Sequence, residues 1–433
     1  MPGARNGRAD PSVPRRSIGH GIVKNVLRIL LVAVVLLSAL FAFPAIAGSA
    51  KVRQGEKQVA ARQYKKAMKS FRDAVRKDPG DAEAMTRIGD LYASGQGVPR
   101  SDEEAVKWYA KAAPLGNAAA RYALASRYAS GRGVARDPEA AAKWCRLAAD
   151  QGHPGAQSLL GYLYEQGMGA PRDPAESRAW YRKAAEGGDV VAQKLLAWRY
   201  ATGNGEAKDP AAAAAWYRKA AEAGDPDAQT RLAAMYRDGT GVPKVPSEAA
   251  TWYRKAAEKG NAEAFAGYGR ALLYGHGVAQ DETAAAEWIR KAAERGVPEG
   301  FFLRGVLYAY GRGEPKDDAE ALKGYRRAAE EGYVDGQLQI AGMYLLGRGA
   351  PQSDNTAAAW YLRAAEAGSP DAQVMIGWMH EVGRGVPKDL EASARWFRLA
   401  AAQGNADARA RLKLLESARR ESIPSAQIRN PPK

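Results

Sequence analysis

The segment Trp252–Gly260, WYRKAAEKG, decides the fold because the chain keeps returning to it. Trp108, Trp144, Trp180, Trp216, Trp252 and Trp288 follow one another at intervals of 36 residues. Gly324 stands in the next place, and Trp360 and Trp396 resume the phase. An Ala pair such as Ala112-Ala113 lies downstream in every repeat, and a Gly such as Gly116 follows three residues later. Upstream, a Gly-x-Gly begins at Gly95, Gly131, Gly167, Gly203, Gly239, Gly275, Gly311, Gly347 and Gly383. A period this strict predicts a solenoid of units, none of which can bury its apolar face alone. β-branched and aromatic alternation never extends far, whereas Ala, Leu, Lys, Arg and Glu abound, so the class is all-α.

Each unit reads as a helical hairpin. On its first helix, helix A, the stripe Ala120, Leu124, Ala125 and Tyr128 has offsets that share one face. Equivalent residues recur in the other units, with Leu272 and His380 replacing the Tyr. Gly-x-Gly ends helix A, since glycine accepts left-handed backbone angles that other residues resist. Helix B opens on a cap: Asp137-Pro138, Asp173-Pro174 and Asp209-Pro210 pair an N-cap acceptor with proline at the first helical position. Ser101, Asp281, Asp317, Ser353 and Asp389 supply the cap elsewhere, and Val245 does not. The Trp, Tyr and Ala-Ala of helix B are expected to pack between helices.

These residues resemble the Sel-1-like repeat (SLR) family. The motif L-G-x-x-Y-x-x-G-x-G stands at Leu160–Gly161, Tyr164, Gly167 and Gly169, and WYRKAAE follows the same spacing in the other units. The resemblance implies a right-handed superhelical, tetratricopeptide-like solenoid that serves as a protein-interaction scaffold. Family roles include bacterial envelope regulation, exopolysaccharide export and host interaction, and in eukaryotes quality control at the endoplasmic reticulum. A cysteine-rich subset resembles penicillin-binding hydrolases, with one disulfide per unit. This chain departs from that subset, since Cys145 is its single cysteine.

The repeats are expected to fill 81–404, between a tetratricopeptide-like capping hairpin at 48–80 and a capping helix at 405–420. Residues 1–21 read as a disordered basic N-region and 421–433 as a disordered tail. Within 22–47, the apolar run Ile29–Ala47 ends on Ala45-Ile46-Ala47, the small-residue pattern of a signal-peptidase site. A retained membrane anchor is the competing reading, with membrane contact only through 29–47. Either places the repeats outside the cytoplasm, in the periplasm or anchored at the inner membrane of a bacterial envelope. Of the net charge of +16, six basic groups and one acid stand before Gly48, so the remaining excess is +11. It is spread among helices that also carry Glu and Asp, which argues against nucleic acid while leaving anionic polymer or glycan as an alternative partner.

No catalytic, cofactor or metal residues emerge. His153, His276 and His380 occupy different phases of distant units, and Gly-x-Gly follows helices rather than strands. A non-catalytic scaffold is therefore expected, with a cell-wall or β-lactam hydrolase disfavoured by the lack of a nucleophile–base pair. The informative positions are those the repeat leaves variable. The helix-A slots of Tyr122, Ser126 and Ser130 face away from the fixed stripe. Equivalent slots hold Tyr162, Trp198, Arg270, Tyr274, Phe302, Tyr310, Leu346, Val374 and Trp378. Large side chains there predict a protein- or peptide-binding face, which the resemblance to related solenoids implies is concave, with Tyr162, Trp198, Arg270, Tyr274, Phe302, Tyr310 and Trp378 as its candidate contacts.

Overall fold

The computed structural model describes residues 49–421, so the readings for 1–21, for 22–47 with its export signal or anchor, and for the tail beyond Glu421 lie outside the described residues. Among the described residues there are 21 α-helices, one short 3-10 helix at Ala113–Leu115 and no β-strand. No described helix is long and apolar enough to cross a membrane. The helices fall into two compact units. The first runs to His153 and includes Gln166–Arg172; the second comprises Pro154–Glu165 and the chain from Asp173 onward. In each, antiparallel helix pairs of about three turns stack in sequence, which makes the protein an all-α repeat solenoid.

The first unit begins with the hairpin Ala50–Ala60 and Tyr64–Lys77, whose Val52, Ala67 and Phe71 close over Ala84, Ile88 and Leu91 of the next helix. In the second unit, the Trp252 repeat shows how a hairpin is built. Helix A, Pro226–Asp238, starts from Asp225, whose side chain accepts a bond from Ala228 N–H at 2.8 Å. It stops at Gly239, which takes φ +75°. The second Gly of the turn, Gly241, is needed for another reason, since a Cβ there would lie 2.0 Å from the carbonyl oxygen of Pro210 in the preceding helix B. One glycine therefore reverses the chain, and the other lets the turn rest on the previous repeat.

Helix B, Pro246–Glu258, has no side-chain cap at Val245, as its sequence predicts. The Val245 N–H nevertheless donates to the Tyr236 carbonyl at 3.0 Å. Asp209, Asp317 and Ser353 make the same backbone bond to Tyr200, Tyr308 and Tyr344, so the turn survives the missing cap oxygen. A further bond ties one repeat to the next. Gln193, Gln229 and Gln373 are buried and donate through Nε2 to the carbonyls of Ala185, Ala221 and Ala365 at 3.0, 2.9 and 3.2 Å. Those carbonyls belong to the last turn of the preceding helix B, where each also accepts from the N–H of the turn glycine, Gly188, Gly224 or Gly368, so the glutamine takes up the second lone pair.

The residue after each Trp forms the inner core. Tyr181, Tyr217, Tyr253, Ile289, Tyr325, Tyr361 and Phe397 are buried in the second unit, and Tyr109 and Cys145 in the first. Burial pushes the Cys145 thiol up to about 12, which keeps it protonated and unreactive. Most of the Trp residues themselves are half-buried; only Trp180 is fully covered. Their outer faces carry a cation from the next helical turn: Lys183, Lys219, Lys255 and Lys291 lie 4.0–4.2 Å from the ring centroids of Trp180, Trp216, Trp252 and Trp288. The Trp is thus a packing residue on one side and a cation platform on the other.

Candidate functional site: the variable face of helix A

Helix A presents its fixed stripe inward, and the structure sorts the variable slots into three groups. Tyr162, Trp198, Tyr274 and Tyr310 are 45, 43, 39 and 66% exposed, so their rings are available at the surface of the second unit. Leu346 at 70% and Val382 at 49% extend that apolar surface. Sequence reasoning passed over Val382, although it occupies the slot of Tyr274, Tyr310 and Leu346 one repeat further on.

Arg270 and Trp378 form the second group. Arg270 Nη1 lies 2.7 Å from Glu299 Oε1, outside hydrogen-bond alignment, and its Nη2 is buried without a hydrogen-bond partner. Trp378 is half-buried, packs beside Ile376 and Met379, and has Arg384 5.9 Å over its ring. Phe302 is different again. Its ring packs on Tyr325 at 5.6 Å and Tyr333 at 5.2 Å, which places most of it in the core between repeats. Val374 is half-buried against the cluster around Phe397.

Two cavities open on this face. One, of about 600 Å³, is bounded by Val191, Leu195 and Trp198 on one side and by Arg231 and Glu263 on the other. Lys194 crosses its wall and pairs with Asp225 at 2.8 Å and Asp227 at 3.3 Å. Burial opposes the charge of Lys194, but those carboxylates hold its pKa above the ordinary lysine value. The other cavity, of about 470 Å³, lies over Tyr253 and is rimmed by Arg237, Lys244, Arg270 and His276. Arg237 donates to both oxygens of Asp238, at 2.6 and 2.7 Å, and this contact carries the Asp238 carboxyl below its usual range.

The histidines stay apart and make local contacts. His153 stacks on Tyr122 at 4.8 Å, His276 on Tyr274 at 5.6 Å, and His380 Nδ1 lies 3.2 Å from the Pro387 carbonyl. Among the described residues, no group of three or more His, Cys, Asp or Glu is placed to hold a metal ion. The face therefore offers aromatic and aliphatic surface beside paired charges, which is the chemistry of protein recognition.

Stacked helical hairpins with an open, variable face define a repeat solenoid of the interaction-scaffold class. The Sel1 repeat model matches nine segments, at 82–117, 118–153, 154–189, 190–225, 226–261, 262–297, 302–333, 334–369 and 370–405, and the chain belongs to the Sel1 repeat family. The solved structure of a protective antigen from uropathogenic Escherichia coli strains, described as displaying an SLR fold, is 34% identical with a TM-score of 0.68. The match covers 84% of this chain and 79% of that one. A Sel1 repeat protein from Oxalobacter formigenes is 36% identical with a TM-score of 0.50, covering 56% of this chain and 99% of its own. No curated protein matches the chain. Sel1 repeat proteins generally mediate protein–protein interaction, and the solenoid is typically a non-catalytic scaffold.

Proposed function

We propose that this protein is a non-catalytic adaptor of the bacterial cell envelope, binding a partner protein through the variable face of helix A. The carrying observation is the set of large side chains left exposed there: Tyr162, Trp198, Tyr274, Tyr310 and Leu346. A fold can remain stable with small polar residues at these slots, as Ser126 and Thr202 show, so packing does not require the aromatic ones. Export rests on the apolar run Ile29–Ala47 and its Ala45-Ile46-Ala47 ending.

Site-specific photo-crosslinking in intact cells tests the reading. A photoreactive residue at Trp198 or Tyr310 should give discrete protein adducts, and one at Lys219 on helix B should not. With the probe at Tyr310, combined Tyr162→Ala, Trp198→Ala and Trp378→Ala should lower the adduct yield at least tenfold while helical circular dichroism is retained. Equal adducts from both faces would remove the helix-A assignment. Retention on isolated cell wall without protein adducts would favour a polymer partner. Alkaline phosphatase fused after Gly48 should be active if the leader exports the domain attached to it.

A further inference from the structure

Tyr253 differs from three of its counterparts in the second unit. Tyr181, Tyr325 and Phe397 each lie over a glycine in helix A of their own repeat: Gly161, Gly305 and Gly377. The corresponding residue for Tyr253 is Ala233, as it is Ala197 for Tyr217 and Ala341 for Tyr361, and the Tyr253 ring lies against Gly267 of the following helix A, Ala262–Tyr274. A Cβ on Gly267 would fall 2.5 Å from that ring. Leu195, Arg231, Leu303 and Met375 fill the equivalent position elsewhere in the second unit. With no side chain at Gly267, and only methyl groups at Ala249, Ala250 and Ala271, the cavity of about 470 Å³ stays open above an apolar floor. That volume is within the range of about 300–1,000 Å³ common to ligand pockets.

The rim is cationic. Arg237, Lys244 and Arg270 line it with a single carboxylate, Asp238. Asp238 is held by Arg237, and Glu299 from outside the lining engages only one nitrogen of Arg270. Among the described residues, no carboxylate lies within 4.0 Å of Lys244 Nζ. From this rim an exposed apolar row leads away: Tyr274, Tyr310, Leu346 and Val382 sit at one slot in successive repeats. Thr202 and Asp238 hold that slot in the two preceding repeats, so the surface turns apolar where the cavity begins.

We propose that the cavity and the row together bind a peptide segment of a partner protein that carries a carboxylate beside a large apolar side chain. The apolar side chain enters over Tyr253 and Gly267, its acidic neighbour meets Lys244 and Arg270, and further apolar residues follow Tyr310 and Leu346. Charge complementarity selects the acidic residue, because the rim has one more cation than acid even after Glu299 is counted. The floor selects the apolar one. This inference rests on the helix-A adaptor reading and names the class of its partner.

The test is selection of random 16-residue peptides displayed on phage against the purified full-length protein, followed by titration of labelled synthetic winners. Expected winners place Asp or Glu next to Leu, Met, Phe or Trp. They lose at least tenfold in affinity to Lys244→Glu and to the pair Tyr310→Ser and Leu346→Ser, each with unchanged circular dichroism. Replacing the peptide acid by Lys should restore binding to Lys244→Glu. Winners without an acid, or winners indifferent to these variants, overturn the inference. Winners lost only with Tyr162→Ser and Trp198→Ser also overturn it, while leaving the adaptor reading intact. Failure to enrich any peptide overturns it too, and photo-crosslinks at Trp198 or Tyr310 then decide whether the adaptor reading stands.

Discussion

The Trp252 and Gly324 repeats reach the same outer contact by different routes. In the first, Lys255 lies 4.2 Å over the Trp252 ring, one turn along the same helix. In the second, Arg327 holds the equivalent position but lies 5.3 Å over Phe301, a ring supplied by helix A. Trp is excluded at 324 because the two helices, Pro298–Tyr310 and Asp318–Glu330, approach closely. A Cβ on Gly324 would sit 2.7 Å from the Gly305 nitrogen and 2.9 Å from the Phe301 carbonyl oxygen. The repeat therefore preserves a cation on an aromatic face, and the ring can come from either helix. Phe301 meets this need by giving up the glutamine of its slot, so the Gly324 repeat lacks the bond that Gln229 gives the Trp252 repeat.

Exchanging the two residues should break the comparison most severely. Gly324→Trp forces an indole against backbone rather than against a side chain that can move aside. Overpacking usually costs about 1–3 kcal/mol, and this substitution is expected at or above about 3. The reverse change, Trp252→Gly, removes a half-buried ring and adds a helical glycine; about 2–3 kcal/mol is expected. Urea unfolding combined with hydrogen exchange at each repeat would separate the local from the global loss. If Gly324→Trp is accommodated at less than about 1 kcal/mol, close helix approach is not what excludes Trp there.

A smaller effect tests the borrowed ring. Phe301→Ala should cost about 2 kcal/mol, mostly lost packing. A double-mutant cycle with Arg327→Ala should show coupling of about 0.5–1 kcal/mol, as expected for a cation over an aromatic face. The cycle Trp252→Ala with Lys255→Ala should give a similar value. Coupling in the Trp252 repeat with none in the Gly324 repeat would mean that Phe301 only fills space.

Much of this architecture was legible because it is written nine times. The period, the Gly-x-Gly stops, the Asp and Ser caps and the small residues opposite each inner aromatic all follow from local backbone needs, and local needs repeat with the sequence. Contacts that depend on the neighbouring repeat were harder to read. Phe302 shares its slot with Val374, yet only the structure shows it stacked on Tyr325 and Tyr333. The Gln193, Gln229 and Gln373 bonds likewise span two repeats, and a buried glutamine looks like a surface residue until its carbonyl partner is known. For the Trp residues, strict repetition signalled packing but not the lysine on the outer face. The cavity over Tyr253 was hidden because it arises from the side chain that Gly267 lacks.

The smallest expected effect concerns the turns between repeats, where the same two regions differ once more. Helix B of the Gly324 repeat opens with Asp318, and Arg348 in the next Gly-x-Gly turn pairs with it at 2.6 Å. Glu282 with Arg312 and Asp354 with Arg384 repeat the arrangement at 2.7 and 2.9 Å. The Trp252 repeat opens with Pro246 instead, and the corresponding turn residue is His276. An acid at the first helical position thus comes with Arg in the following turn, and proline comes without it. The Arg348 hydrogen bond holds the Asp318 carboxyl below its ordinary range. Its stabilising contribution is therefore present above the ordinary carboxylate range and disappears as pH falls through the lowered value. Both side chains are partly exposed, so water and salt screen the pair and the effect is modest. Arg348→Ala should raise hydrogen exchange in the Gly347–Gly349 turn by about two- to threefold at neutral pH and low salt. After correction for intrinsic exchange, that excess should vanish on acidification or in high salt. His276→Ala should show no matching loss below the carboxylate range. An equal acid response in both turns would mean that the Arg–carboxylate contacts do not fasten one repeat to the next.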